Sequence, residues 1–257
     1  MGSEIIFEKR NKTAIVTLNR PKQKNAVNLA VRQALCDAWD EVNQDSDICS
    51  VIVTGGEDVF STGQDLVELA EFRSKEPTAE LPLNEQNTFG ANVKKPVIAA
   101  ISGYCLGAGF LLTLLAADIR IASHTAKFGM PEVSVGVPPS FGIPPFLAKC
   151  FPYAIATEIL LAGRNISAED ACRFGYLNKV VPTGELQSAA EAYAARINKF
   201  SPLIVGNIKK VLRKVTVPDP VAISFSDAIC ALGRKSEDYI EGPKAFNEKR
   251  KPVWKGR

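Results

Sequence analysis

The chain has 257 residues, 46% hydrophobic and 23% charged, enough apolar material for one compact domain and too much for a disordered one. Its 31 basic and 28 acidic residues leave a net charge of +3, too balanced to point to nucleic acid. The six cysteines show no CxxC or metal-type spacing and His124 is the single histidine, so a metal site is not expected and the thiols read as reduced core residues. In chain order, Ile5–Phe7 and Ala14–Leu18, split by the polar Arg10-Asn11-Lys12, predict a β-hairpin. Asn28–Asn43 predicts a helix, with Val31, Leu35, Ala38, Trp39 and Val42 on one stripe. Ser50–Thr54, Pro96–Ile101 and Asp118–Ala122 read as buried strands separated by helical or loop segments, which is the pattern of an α/β core with largely parallel pairing. Arg73–Leu83 is polar, carries Pro77 and Pro82, and is expected to be a mobile loop.

From about Tyr153 the pattern turns helical. Ala154–Leu161 is followed by Ser167-Ala168-Glu169-Asp170, which has the form of a capping box, and then by helical stretches Gly184–Phe200, Pro202–Val215, Pro220–Leu232 and Ser236–Arg250. Apolar runs such as Phe110–Ala117 are too short to span a bilayer. Neither a secretory leader nor a peroxisomal tripeptide is read at the ends, so a cytoplasmic location with no membrane partner is expected. The cations Lys249, Arg250, Lys251, Lys255 and Arg257 form either a solvated tail or a contact for a phosphate-bearing ligand.

Three segments carry candidate chemistry. Phe60-Ser61-Thr62-Gly63-Gln64-Asp65-Leu66 follows a strand; Gly63 permits a tight turn, and Asp65 is placed to cap a helix starting at Leu66. Gly103-Tyr104-Cys105-Leu106-Gly107-Ala108-Gly109-Phe110 joins a strand to an apolar helix whose first N–H groups favour negative charge. It fits neither a phosphate loop nor a dinucleotide fingerprint. Phe128-Gly129-Met130-Pro131-Glu132-Val133 sets one carboxylate among apolar residues, where burial raises its pKa toward that of a general base. Taken singly, each segment also fits an ordinary strand–turn–helix junction or an exposed glutamate at a helix start.

In this order the three resemble the crotonase (enoyl-CoA hydratase/isomerase) family. The resemblance extends to Asn19-Arg20-Pro21 with Asn25-Ala26, to Ala171 with Gly175–Pro182, and to Phe246, Glu248-Lys249-Arg250 and Pro252, and so spans nearly the whole chain. It implies a spiral of ββα units over residues 1–195 and a helical C-terminal region over 196–257 that builds homotrimers or hexamers. It further implies an acyl-CoA thioester substrate, with no cofactor beyond the CoA the substrate carries. Carried over by position, the N–H groups of Gln64 and Ala108 form an oxyanion hole and Glu132 is the catalytic glutamate. The same resemblance puts Lys24, Ala26, Thr62, Gly63, Asp65, Leu66, Gly107, Leu111 and Pro131 along the substrate groove, with Phe246 and Lys249 touching CoA.

The departure lies at Leu111, where hydratases of this family carry a second glutamate; a shift of one residue gives Leu112 and no carboxylate either. At Ser140, where dienoyl-CoA isomerases carry an aspartate, there is again no second base. Moving a double bond from β,γ to α,β needs one base and no water, so 3-enoyl-CoA to 2-enoyl-CoA isomerisation is the first expectation. Hydration, or other enolate chemistry such as decarboxylation, is the second, with Glu68 or the 73–89 stretch supplying a polar group. A non-catalytic acyl-CoA-binding protein is the third.

Overall fold

The computed structural model describes residues 3–76, 88–139 and 142–257. Strands β1 (Ile5–Arg10) and β2 (Thr13–Leu18) form the expected hairpin, turned by Asn11 and Lys12 in left-handed conformations. Helix α1 (Leu29–Gln44) starts where Asn28 accepts the Val31 N–H, and it buries the predicted stripe. Strand β3 (Ser50–Thr54) and helix α2 (Leu66–Lys75) follow, the latter capped by Asp65. Next come β4 (Val97–Ile101), β5 (Tyr104–Leu106), α3 (Ala108–Leu115), β6 (Ile119–Ser123), β7 (Lys127–Gly129) and a 3₁₀ turn, Pro131–Val135. Helices α4 (Ile143–Cys150) and α5 (Tyr153–Leu161), strand β8 (Ile166–Ser167), α6 (Ala168–Arg173) and β9 (Lys179–Val181) lead to α7 (Leu186–Ile197). The chain closes with α8 (Pro202–Thr216), α9 (Pro220–Gly233) and α10 (Glu237–Asn247).

The main sheet has the order β1-β2-β3-β4-β6-β9, antiparallel in the hairpin and parallel elsewhere. Both faces are covered, so β3 and β4 are buried at every residue and their side chains alternate between two cores. Val51, Val53, Ala99 and Ile101 face the larger core with α1 and α3, while Ile52 and Ile98 face Leu186, Ala190 and Ala194 of α7. A second sheet, β5-β7-β8, lies where the chemistry-bearing segments meet. Strands β5, β7, β8 and β9 have two or three residues each, too short for a period to show, and the sequence reading passed over them. Strand β9 also extends the main sheet into the part of the chain read as helical.

Three other expectations change. Arg73 continues α2 rather than opening a loop: it is buried, with its guanidinium 4.7 Å from the Tyr239 ring centre. The rest of that stretch, 77–87, lies outside the described residues, as does Ser140. Of the six free cysteines only Cys105 and Cys230 are buried; the other four are half-buried. Ser167 does cap α6 by accepting the Asp170 N–H, while Asp170 turns to Arg173 instead of completing a capping box.

Asp118 anchors α8. Its carboxylate accepts from Val97 N–H at 2.8 Å and pairs with Lys209 at 2.6 Å, while Arg213 caps the Ala116 carbonyl at the end of α3. Burial pushes the Lys209 ammonium down to about 8. No single helix among the described residues is long and apolar enough to cross a membrane; α8 and α9, bent by 62°, pass only as a pair and only by length and composition.

Candidate active site

Two loops are strapped side by side. The Lys24 carbonyl accepts from both the Thr62 N–H (3.1 Å) and its hydroxyl (3.3 Å), the Gly63 carbonyl accepts from Val27 N–H (2.8 Å), and the Val27 carbonyl accepts from Asp65 N–H (3.1 Å). A trans peptide points its C=O and N–H in opposite directions. With the Gly63 carbonyl turned to Val27, the Gln64 N–H faces away from that strap, and among the described residues it has no acceptor. Asn25 pins the loop from below: its amide donates to the carbonyls of Gly55 (3.0 Å) and Val59 (2.8 Å), and Ser61 donates to the Asn25 carbonyl (2.7 Å). Asp65 caps α2 and pairs with Arg20 at 2.9 Å, and the same guanidinium holds the Ala26 carbonyl.

Across the junction, Gly107 donates to the Gly129 carbonyl at 3.0 Å and opens α3. Its φ of 49° and ψ of −119° belong to glycine. The Ala108 N–H that follows is one of the helix's unsatisfied first donors, also without an acceptor among the described residues. A Cβ on Gly63 would lie 3.4 Å from the Ala108 nitrogen, so the two free N–H groups sit on adjoining backbones.

Glu132 enters from the third side. A Cβ on Gly107 would stand 2.6 Å from its Oε1 and 3.5 Å from the Gly63 Cα, so carboxyl and both glycines meet at one point. Glu132 as a whole residue is half-exposed, yet its Oε2 is sealed from solvent and, among the described residues, has no hydrogen-bond partner. That burial pushes the Glu132 carboxyl up to about 7, against a smaller downward pull from its own backbone N–H. Pro131 sets the start of the turn.

Gly63, Gln64, Gly107, Ala108, Pro131 and Glu132 are thus brought to one junction, flanked by Lys24, Ala26, Thr62, Asp65 and Leu66 through the loop strap. Leu111 stands one turn into α3 and is buried in the main core, 2% exposed. Phe246 and Lys249 stand exposed at the end of α10 and share no hydrogen bond with the junction residues. Glu68, the candidate second group, has its carboxylate on the Leu29 N–H at 3.0 Å, where it serves the start of α1; burial raises its pKa. His124 is exposed on a turn, with its N–H on the Val181 carbonyl. Much of the basic tail is paired, Arg250 with Glu241 and both Lys255 and Arg257 with Glu237.

Two contributors were missed. Arg32, 5% exposed, donates to Gln64 Oε1 and lies over the Phe89 ring. Its signal was a charge on the buried stripe, three residues before Leu35 and seven before Trp39. Asn165 packs so closely on Gly129 that a Cβ there would fall 1.9 Å from its Oδ1, a tertiary contact with no local pattern.

Known proteins share this fold and much of this sequence. The enoyl-CoA hydratase/isomerase family model matches residues 8–257. The carnitinyl-CoA dehydratase of Salmonella paratyphi B is 37% identical over 253 residues, 94% of each chain. The crystal structure of carnitinyl-CoA hydratase from Mycobacterium avium superposes with a TM-score of 0.86 at 34% identity, covering 100% of both chains. A methylmalonyl-CoA decarboxylase in complex with 2-nitronate-propionyl-CoA superposes at 0.84 with 28% identity and 99% coverage of both. The chain belongs to the crotonase family, the enoyl-CoA hydratases and isomerases, and is an acyl-CoA enzyme of that fold.

Proposed function

We propose that the chain converts an acyl-CoA thioester through its enolate, with Glu132 as the single proton-transfer group and the Gln64 and Ala108 N–H groups as the oxyanion hole. The carrying observation is the Glu132 carboxyl seated on the Gly107 Cα beside two backbone donors that lack acceptors among the described residues. Preorganised donors of this kind contribute on the order of 3 kcal/mol each to barrier lowering. A carboxyl pushed up to about 7 is divided between its two forms near neutrality, so one group serves as base and then as acid.

The reaction favoured by the relatives is reversible loss of water across C2–C3. Glu132 takes the α-proton of a 3-hydroxyacyl-CoA, the enolate forms in the hole, and the same proton leaves with the β-hydroxyl as the C–O bond breaks, giving 2-enoyl-CoA and water. This reading is supported by relatives named carnitinyl-CoA dehydratase and hydratase, and it displaces isomerisation from first place. Isomerisation stays as the second reading because Leu111 is a buried core side chain where hydratases of this family carry their other glutamate. It shares the first step; the proton then returns to the γ-carbon.

Wild type and Glu132→Gln are assayed with 3-hydroxybutyryl-CoA, crotonyl-CoA and 3-hexenoyl-CoA, following ultraviolet absorbance and product mass. Interconversion of the first two, lowered by about 10²- to 10⁴-fold in the variant, is the expected result. Conjugation of 3-hexenoyl-CoA alone would replace it with isomerisation, and tight binding with no α-proton exchange in D₂O would defeat both. The loop residues Lys24, Ala26 and Thr62–Leu66, with Phe246 and Lys249, are proposed to carry the CoA portion.

A further inference from the structure

The Glu132 turn is held from behind by the C-terminal end of the chain. The Glu132 carbonyl accepts from the Gly136 N–H and, at 3.0 Å, from the Val137 N–H, so where Gly136 sits decides where the Glu132 backbone sits. Gly136 is in the left-handed region with φ of 62°, and a Cβ there would meet the Asp238 carbonyl at 2.6 Å and the Trp254 ring at 2.8 Å. One helical turn further along α10, a Cβ on Gly242 would fall 1.9 Å from the Val135 carbonyl. Helix α10 therefore lies against the turn's backbone at two glycines, and the Trp254 indole covers one of them.

The segment carrying Trp254 is anchored along its length. Val253 N–H donates to Glu241 at 2.9 Å, Lys255 and Gly256 N–H donate to Asp238 at 2.7 and 3.0 Å, and Glu237 N–H donates to the Arg257 carbonyl at 2.6 Å. The other side of α10 reaches α2, the helix that starts just after Gln64, where Arg73 meets the Tyr239 ring and hydroxyl. One helix thus touches both the element that follows the oxyanion loop and the turn that carries the carboxyl.

We infer that Lys251–Arg257, acting through Trp254, is a positioning element for Glu132: the indole fixes Gly136, and Gly136 with Val137 fixes the Glu132 main chain. The role rests on the reading of Glu132 as the proton-transfer group. Trp254 touches no reacting atom; it acts through the turn. A displacement near 1 Å of a catalytic group costs up to about a hundredfold in rate.

Trp254→Ala and Trp254→Phe are compared with wild type by steady-state kinetics and by amide hydrogen exchange. In the Ala variant kcat falls between about tenfold and a hundredfold while KM changes less than about threefold. The Gly136 and Val137 amides exchange faster, while those of β3 and β4 stay protected. The Phe variant recovers most of both. Should Trp254→Ala fail to fold, Asp238→Ala frees the Lys255 and Gly256 anchors and carries the same expectation. Unchanged exchange at Gly136 and Val137, or faster exchange with unchanged kcat, overturns the inference. Were the wild type silent on every acyl-CoA, the functional reading would fall alone, and exchange at Gly136 and Val137 would still decide whether Trp254 holds the turn.

Discussion

Replacing Glu132 by Gln keeps the shape of the side chain and removes its charge, so the variant isolates what burying this carboxyl does to stability. The carboxyl rises from 4.5 to about 7 in the folded chain. Between those values the unfolded chain has released the proton and the folded chain still holds it, so wild-type stability falls as pH rises. At 1.36 kcal/mol per pH unit the loss accumulates to about 3 kcal/mol and levels off above the folded value. The Gln variant has no such term. The two proteins should be equally stable to within about 1 kcal/mol near pH 4, and the variant more stable by about 3 kcal/mol at pH 8. Urea unfolding of both at matched protein concentration, in steps of half a pH unit, gives the difference curve, and every other titrating group cancels in it. A flat difference between pH 4 and 8 would mean that the carboxyl is hydrated, and the dry-pocket reasoning would be wrong.

Three shorter predictions follow from the same geometry. In the free enzyme kcat/KM should rise with pH through about 7, because the α-proton is taken by the ionised carboxylate; a pH–rate profile already flat from pH 5 would contradict it. Gly107→Ala places a Cβ 2.6 Å from Glu132 Oε1 in a conformation that favours glycine, and turnover should drop at least tenfold with the fold retained by circular dichroism; undiminished turnover would show that the carboxyl does not seat there. Helices α8 and α9 expose Leu203, Ile208, Val211, Leu212, Phe225 and Ile229, so we propose that copies of this chain associate through them; light scattering should give a multiple of 27.8 kDa, and a monomer at micromolar concentration would refute it.

How much of this was legible depended on the range of the interactions. Strand β2, α1 and the inner strands have their periods written in five or more residues and form close to where expected, while β1 runs on to Arg10 beyond the Ile5–Phe7 read for it. Asp65 and Asn28 cap their helices because capping is a contact within three residues. The very short strands β5, β7 and β8 are made by pairing partners distant in sequence, and no local pattern marks them. The Gly107 and Gly63 signals were readable as glycines, but the sequence did not state that their Cα atoms lie against each other and a carboxyl. Glu68 shows the reverse case. The sequence offered it as a polar group for the site, and the fold gives that carboxylate to the N-terminus of α1.

The dry surroundings of Glu132 and the lack of a second carboxylate beside it among the described residues bear on one another. A site with two carboxylates can divide the work, one kept ionised and one kept neutral, by giving them different environments. A site with one must use the same group in both states within a single turnover, and that works best when its pKa lies near the working pH. A like charge nearby would raise the pKa, and so does desolvation, but only desolvation does it without adding a second titrating group. Leu111, one turn into the helix whose N-terminal Gly107 seats Glu132, is buried in the main core and carries no charge. The Oε2 atom, sealed and without a partner among the described residues, is the physical form of that solution. An unsatisfied buried acceptor destabilises the fold by roughly 1–3 kcal/mol. The substitution at Leu111 is therefore consistent with a retained proton-transfer step, whichever carbon or oxygen receives the proton next.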